Sequence, residues 1–350
     1  MQFIVLSVWK SSQVPEKQSA GEAPQKKRDF LYKDTDSALL GKLSEAKAIN
    51  EDAETLINQL FSDEKLGILV NKIFQELSEP RTLKERKKAN LAHEPHTWLY
   101  DTKKEQWRGV PNLEQYSPKK GKKEYHLGSF LMRVAKQARK NNEKKLETER
   151  VLTSDFSGKA PVSYIGIQCM PDLIGVKKQY QLCGYVQKKK RRTRLCWENI
   201  DMIIKLKCGL NATTEKLSVD LTNKVFCTFQ AQTDHQYVCC LGFMLFLVYF
   251  AVYDQSGLVR SKPFDINKIP IQFLRLVIGF MRGSDSAIGL DTVIMKGNET
   301  NGTIEVGQEK YDLNHVVWRA DMIRRRGTTC FFERHCLAPY IIKDCWIIRG

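Results

Sequence analysis

A single apolar run constrains the fold of this 350-residue chain more than any other segment. Residues 238–253 read VCCLGFMLFLVYFAVY and carry no charged side chain. A helix needs about 20 apolar residues to cross the hydrocarbon core of a bilayer, and this run is shorter. It is rich in aromatic and β-branched residues, contains Gly242, and ends at the turn sequence DQSG. These features favour two buried strands, with a membrane span as the alternative.

In other segments the apolar residues are spaced as in helices or grouped in short runs as in strands. Apolar residues between Leu39 and Leu77 predict two or three amphipathic helices, and a stripe from Leu127 to Ala138 predicts another. The run IQFLRLVIGFM at 271–281 predicts a buried helix. The segment PFDIN before it predicts a turn that is anchored by its phenylalanine, in which the aspartate or asparagine side chain caps that helix. From about Pro161 onward, short apolar runs such as SYIGIQCM and MIIKLKC predict strands.

The charge of the chain points toward acidic or phosphate-bearing partners. The formal net charge is +16 and the isoelectric point is near 9.3. Attraction and counterion release favour phosphate groups on such a surface, although a solvated basic surface without a ligand is the alternative. The most compact part of this charge is the run KKKRRTR, which predicts a nuclear-import signal, a phosphate-binding loop or a solvated insertion. Its basic residues are Lys188, Lys189, Lys190, Arg191, Arg192 and Arg194.

The cysteines and the first residues bear on the cellular compartment. All ten cysteines follow position 168, none forms a C-x-x-C pair, and no spacing resembles a zinc site. Cys239 and Cys240 are adjacent within the apolar run, which favours buried free thiols in a reducing compartment. The stretch FIVLSVW near the first residue lacks the flanking residues of a secretory signal. We therefore predict an intracellular protein of the nucleus or cytoplasm that is not secreted.

A pattern in the middle of the chain resembles the active site of the restriction-endonuclease-like fold. Met170-Pro171-Asp172 stands at the head of one predicted strand, and the next predicted strand carries Lys205 and Lys207. In an intact site two acids bind Mg²⁺ while a lysine positions the attacking water. Here Lys205 occupies the position of the second acid, and its charge repels a metal. The sequence therefore predicts a degenerate nuclease-like site without a metal.

The last thirty residues resemble the first strands of the nucleotide-binding lobe of a protein kinase. The turn RGTT at 326–329 lies where a glycine-rich loop covers phosphates, and a strand ending in IIKD follows. The candidate nucleotide-binding residues are Gly327, Thr328, Thr329 and Lys343, with an edge strand and a surface lysine as the alternative interpretation. The chain contains no H-R-D tripeptide, and the D-F-G-like DFSG at 155–158 precedes the lysine.

Several blocks in chain order resemble the fungal-type protein kinase domain family. The resemblance covers roughly residues 113–346 and departs from the family where Lys205 replaces a glutamate and Gln255 replaces an arginine. The blocks are CWENIDMIIKLK, FQAQTDHQYVCCLGFMLF, VYDQSGLVRSKPFDINK, FLRLVIGFM, IGLDTVI, RRRGTTCF and IIKDCW.

The resemblance implies a family activity of ATP-dependent protein phosphorylation, with ATP and Mg²⁺ as cofactors of complete members. The matched blocks stop at the Lys343 strand, before the family's catalytic loop and metal-binding aspartate. The expectation is therefore a truncated and catalytically inactive kinase-like protein, with no catalytic residue, metal or cofactor of its own. Two alternatives stay open: a nucleic-acid-binding module that uses Lys205, Lys207 and the run at 188–194, and a protein-interaction module that uses the helical third.

The predicted fold class is α+β with an α/β core. The predicted organisation is a disordered tail at 1–31, a helical region at 32–110, a restriction-endonuclease-like α/β sandwich at 111–315 and the first strands of a kinase N-lobe at 316–350. Possible partners are a protein or a nucleic acid, and a membrane is not expected.

Overall fold

The structure is a computed structural model with seventeen strands and seven α-helices among the residues that it describes. These residues are 2–7, 49–78, 98–113, 122–140, 149–154, 161, 169–181, 196–208, 213–232, 234–254, 257–295, 302–306, 309–313, 315–319, 329–335 and 338–346. The helices are α1 Ala53–Phe61, α2 Asp63–Leu66, α3 Val70–Ser78, α4 Lys122–Lys140, α5 Lys178–Gln181, α6 Thr214–Ala231 and α7 Pro270–Arg282. The predicted α+β class is confirmed.

The strands form four sheets, of which the largest is a mixed central sheet. The first eleven are β1 Gln2–Ser7, β2 Ile49–Glu51, β3 Tyr100–Asp101, β4 Gln106–Trp107, β5 Arg150–Thr153, β6 Leu173–Lys177, β7 Met202–Leu206, β8 Tyr237–Met244, β9 Leu247–Asp254, β10 Leu258–Ser261 and β11 Phe264–Asp265. The others are β12 Ile294–Met295, β13 Gly302–Val306, β14 Glu309–Leu313, β15 His315–Arg319, β16 Thr329–His335 and β17 Ala338–Trp346. The central sheet has the order β2-β10-β9-β8-β7-β6-β5, and β11 also pairs with β9.

The apolar run forms the middle of this sheet. Its two halves are β8 and β9, which pair as an antiparallel hairpin from Tyr237 opposite Asp254 to Met244 opposite Leu247. The prediction of two buried strands is therefore confirmed. The turn between them holds Leu245 in a left-handed conformation with φ of 57°. None of the helices in the described part of the chain is long and apolar enough to cross a membrane.

Helices cover both faces of the central sheet, which explains why β8 is apolar at successive positions. On one face, α1, α3, α4 and α7 pack over a cluster that contains Cys239, Leu241 and Phe243. On the other face, α6 packs over a cluster that contains Val238 and Cys240. The chain order α4-β5-β6-β7-α6-β8 builds this core, with β5, β6 and β7 antiparallel and β7 parallel to β8.

The glycine in β8 allows α6 to approach the sheet closely. A Cβ atom added at Gly242 would lie 2.2 Å from Cδ2 of Leu217, which is far inside van der Waals contact. The side chain of Leu217 is fully buried in the cluster beneath α6. Any larger residue at position 242 would push the helix away from the strand.

The predicted helices are confirmed where the structure describes them. The stripe from Leu127 to Ala138 lies on α4, and the run at 271–281 lies on α7. The helices predicted after Leu39 appear as α1, α2 and α3, although residues 39–48 lie outside the described residues. Among the predicted strands, MIIKLKC contains β7, whereas most of SYIGIQCM lies outside the described residues.

The prediction of a side-chain cap for α7 is wrong. The helix begins after Ile269, which makes no side-chain capping hydrogen bond. The Asn267 amide oxygen instead accepts a hydrogen bond from the backbone N–H of Trp107, at 2.9 Å, and so holds the β3–β4 hairpin. Asp265 accepts from the backbone N–H of Asn267 at 2.8 Å. Phe264 is buried, as an anchoring role predicts.

Residues on both sides of the predicted boundary at 110 share one core. Phe61 of α1 packs its ring against Phe250 of β9 and Phe280 of α7, with ring centroids 6.0 Å apart in both pairs. Strand β2 adds to the edge of the central sheet beside β10. Two smaller sheets follow, with the orders β12-β13-β14 and β1-β17-β16-β15. Strand β1 falls within the predicted tail at 1–31, whose other residues lie outside the described residues.

A buried arginine ties the far edge of the central sheet to α7. The Arg150 guanidinium is fully shielded from solvent and donates from Nε to the Asp201 carboxylate at 2.9 Å. It also donates to the Gly283 carbonyl at 2.6 Å and to the Asp285 carboxylate at 2.5 Å. Lys177 donates to the other oxygen of Asp285 at 2.7 Å. Paired charges thereby join strands β5 and β6 to the residue before β7 and to the end of α7.

Candidate functional site

Five charged side chains gather between the ends of β6 and β7 and the facing helix α6, and we call them the lysine–aspartate cluster. Asp172 immediately precedes β6, Lys205 lies on β7, and Lys207 follows that strand. Asp220 and Lys224 lie one turn apart on α6. The alternation of β7 places Lys205 on the same face as Ile203, which is the face that α6 covers.

The carboxylate of Asp172 is fully engaged by protein donors. The Lys205 ammonium lies 2.7 Å from Oδ1, and the backbone N–H of Leu206 donates to Oδ2 at 2.8 Å. Both side chains are mostly buried, with 16% of Lys205 and 11% of Asp172 exposed. The ion pair and the hydrogen bond from Leu206 thus close the gap between the start of β6 and the end of β7, and together they use both carboxylate oxygens.

The other three members place an excess of positive charge beside this pair. Lys207 forms an ion pair with Asp220, and about a third of each side chain is exposed. The Lys224 ammonium donates to the backbone carbonyl of Asp220 at 2.9 Å. The cluster therefore holds three ammonium groups against two carboxylates.

Burial disfavours the charged form of Lys224. Desolvation lowers the pKa of Lys224 below its ordinary value, and the positive charge of Lys205 lowers it further. The thiol of Cys227 lies on the same helix, and its hydrogen bond with the Cys169 thiol, together with burial, raises the pKa of Cys227 well above its usual range. The thiol is therefore protonated at neutral pH, while the nearby ammonium is held in a poorly solvated position.

The cluster does not fit a divalent cation at the nuclease-like position. Each oxygen of Asp172 accepts one hydrogen bond, which leaves a second lone pair on each oxygen. The obstacle to a cation is the Lys205 ammonium, which lies 2.7 Å from Oδ1 and repels positive charge. Within the described ranges, no group of three or more histidine, cysteine, aspartate or glutamate side chains is arranged to hold a metal ion. The one ammonium group in excess gives the cluster a net positive charge.

The kinase-like strands are arranged as an antiparallel meander. Strands β15, β16 and β17 follow one another in chain order and in the sheet. Lys343 lies within β17 and is in register with Cys330 of β16. Thr329 is the first residue of β16, opposite Asp344. The backbone thus brings Thr329 and Lys343 onto neighbouring strands at one end of the hairpin.

The remaining predicted site residues lie outside the described residues. These are Gly327 and Thr328 of the turn and the basic run at 188–194. The nucleotide-binding assignment and the assignment of the basic run therefore stay predictions.

Sequence reasoning identified Asp172, Lys205 and Lys207 but missed the two residues of α6. A signal for them exists, because Leu217, Leu221 and Val225 form a buried stripe at helical spacing. Lys224 falls on the edge of that stripe, where a solvated lysine is not expected. No comparable sequence signal identifies Asp220, the partner of Lys207, because a contact between a strand and a helix depends on the tertiary fold.

Comparison with known protein families supports a kinase-like protein. Residues 178–349 match the family model described as fungal protein kinase. The resemblance drawn from the ordered blocks is thereby confirmed. No curated protein and no solved structure matches the chain.

The depressed pKa of Lys224 predicts a specific pH dependence of stability. In the unfolded chain this lysine stays protonated up to about its ordinary pKa of 10.5, whereas the folded chain releases the proton at lower pH. Between the two pKa values the unfolded state holds more protons, so the free energy of unfolding rises with pH. We expect the parent to gain stability relative to Lys224→Met as the pH approaches 10.5, measured by urea unfolding at a series of pH values.

The matched control is Lys216→Met, because Lys216 is exposed on the same helix. That variant should follow the parent across the series. Parallel curves for the parent and Lys224→Met would contradict the buried position of the ammonium.

Proposed function

We propose that this chain is a non-catalytic, phosphate-binding member of the fungal protein kinase family. Its central domain has the architecture of a restriction-endonuclease-like core that has lost its metal site and binds the phosphate groups of a nucleic acid. The observation that carries this proposal is the 2.7 Å ion pair between Lys205 and Asp172, which replaces a pair of metal-binding acids.

The order of elements supports the endonuclease-like assignment. A helix, three antiparallel strands, a helix and a fourth strand parallel to the third follow in the order α4-β5-β6-β7-α6-β8, with the short helix α5 inserted between β6 and β7. The aspartate stands at the head of the second of these strands, and the two lysines stand at the end of the third. This is the placement that the P-D and (D/E)-x-K pattern requires, with Lys205 at the position of the second acid.

The chemistry of the cluster favours binding over hydrolysis. Metal-dependent nucleases need two carboxylates to hold a cation that activates water. With Lys205 in place of the second acid, the cluster neutralises Asp172, and it keeps a net excess of one ammonium group because Lys207 is paired with Asp220. Ammonium groups bind phosphate as point charges and release its counterions, so affinity is expected to fall as salt rises.

We also propose that these 350 residues do not transfer phosphate from ATP. The strand with Lys343 supplies one element of a nucleotide grip, but phosphoryl transfer also needs a catalytic aspartate and a metal-binding aspartate. The sequence contains no H-R-D tripeptide, and its D-F-G-like segment precedes the lysine instead of following it. The family's activity is therefore assigned to complete members and not to this chain as given.

Restoring an acid at position 205 should restore a metal site. We expect Lys205→Glu to bind Mn²⁺, because two carboxylates would then face each other beside Lys207. Saturating metal, at 100 times its dissociation constant, would stabilise this variant by about 2.7 kcal/mol. The measurement is the thermal unfolding midpoint during a Mn²⁺ titration.

Lys205→Gln is the control, since it removes the ammonium without adding a metal ligand. Neither this variant nor the parent should respond to Mn²⁺. A shift of the parent that disappears in Asp172→Asn would show that the native cluster binds metal, and the proposal would then be wrong.

The absence of phosphoryl transfer can be measured directly. We expect the chain incubated with radiolabelled ATP and Mg²⁺ to show the same background ATP turnover and self-labelling as Lys343→Ala. Turnover by the parent that is lost in Lys343→Ala would contradict the proposal, because it would require a complete catalytic site within these residues.

A further inference from the structure

We propose that the edge of β17 opposite β16 is an acceptor site for an extended, uncharged strand. Residues 2–7 fill this site within one chain, and the same residues of a second copy fill it between chains. The juxtaposition that carries the inference is a six-residue antiparallel ladder that joins β1 to the strand of the candidate nucleotide-binding lysine.

The ladder runs without a break along the second half of β17. It extends from Gln2 opposite Trp346 to Ser7 opposite Ile341 and places Val5 opposite Lys343. On the other side, β16 pairs with β17 from Thr329 opposite Asp344 to His335 opposite Ala338. The part of β17 that carries Lys343 is therefore paired on both sides.

Without β1, this part of β17 would be a sheet edge. Unpaired N–H and C=O groups along an edge form a template for another strand. The segment QFIVLS suits that template, since it has no charge, no proline and no glycine, and its central residues favour extended structure. Among the strands that the structure describes, β1 pairs with β17 alone, so its position depends on this ladder.

A second copy is the occupant that this arrangement favours. It carries the same segment, and residues 8–48 separate β1 from the next described element, so the strand is not held by a short connection. A strand exchanged between identical chains makes the same contacts whether it pairs within its own chain or with a second copy. Residues 8–48 tether β1 to its own chain and so give it a high effective concentration near β17. The β1 strand of a second copy competes through its concentration in solution, so exchange should increase with protein concentration.

A natural cysteine allows the ladder to be tested without changing β17. Phe3 is in register with Cys345, and directly opposite residues of an antiparallel pair have Cα atoms about 4.5–5.5 Å apart, which suits a disulfide. We expect Phe3→Cys, oxidised with diamide in dilute protein, to form a disulfide between position 3 and Cys345 that peptide mapping identifies.

Two controls give this test its specificity. Ile4→Cys is in register with Asp344 and should form far less of a bond to Cys345. Adding Cys345→Ser to Phe3→Cys should abolish the bond. Equal yields from positions 3 and 4, or a bond from position 3 mainly to another cysteine, would overturn the ladder.

Exchange between copies is measured by mixing. Phe3→Cys chains with natural nitrogen and with heavy nitrogen are combined at several total concentrations, equilibrated and then oxidised. We expect the fraction of disulfides that join a light chain to a heavy chain to rise roughly tenfold for a tenfold rise in protein concentration. This proportionality holds as long as most disulfides still form within a single chain. A mixed fraction that stays at background, or that does not change with concentration, would exclude a second copy as the occupant.

Discussion

Burial of the central sheet on both faces is the constraint on which the rest of this structure depends. Apolar clusters lie above and below β7, β8 and β9, so a charge that enters the sheet must find its partner within the protein. Arg150 satisfies this requirement through Asp201, Asp285 and the Gly283 carbonyl, and Asp172 satisfies it through Lys205 and the Leu206 N–H. Removing either cation would leave a carboxylate unpaired at a mostly buried position, which is strongly destabilising.

The same requirement links the architecture to the proposed function. In a nuclease the charge of the paired acids is balanced by a bound metal, whereas here an ammonium group on β7 balances the single aspartate. The Lys205–Asp172 ion pair joins β6 to β7. The cluster keeps a net excess of one ammonium group beside α6, and the proposed binding of phosphate would use this charge.

The elements with strong local patterns were predictable from sequence. The uncharged run forms β8 and β9, and the helical stripes form α4 and α7. Burial determines which positions along each of these elements must be apolar, so the sequence shows them. Features that depend on distant partners were not predictable. Asn267 binds the backbone of Trp107 instead of capping α7, Arg150 meets Asp285 across 135 positions, and β1 pairs with a strand near the other end of the sequence. The sequence pattern drew attention to Asp172, Lys205 and Lys207, but Lys224 required knowledge of which face of α6 is buried.

The most direct measurement of the central claim is oligonucleotide binding in the presence and absence of a divalent metal. Fluorescence anisotropy with a labelled DNA should show binding that weakens as salt rises, that is equal in Mg²⁺ and in EDTA, and that leaves the DNA intact. Lys207→Gln should reduce the slope of log affinity against log salt by about one, whereas Lys216→Gln should not. Cleavage of the DNA in Mg²⁺, or binding that requires the metal, would contradict a metal-free phosphate-binding core.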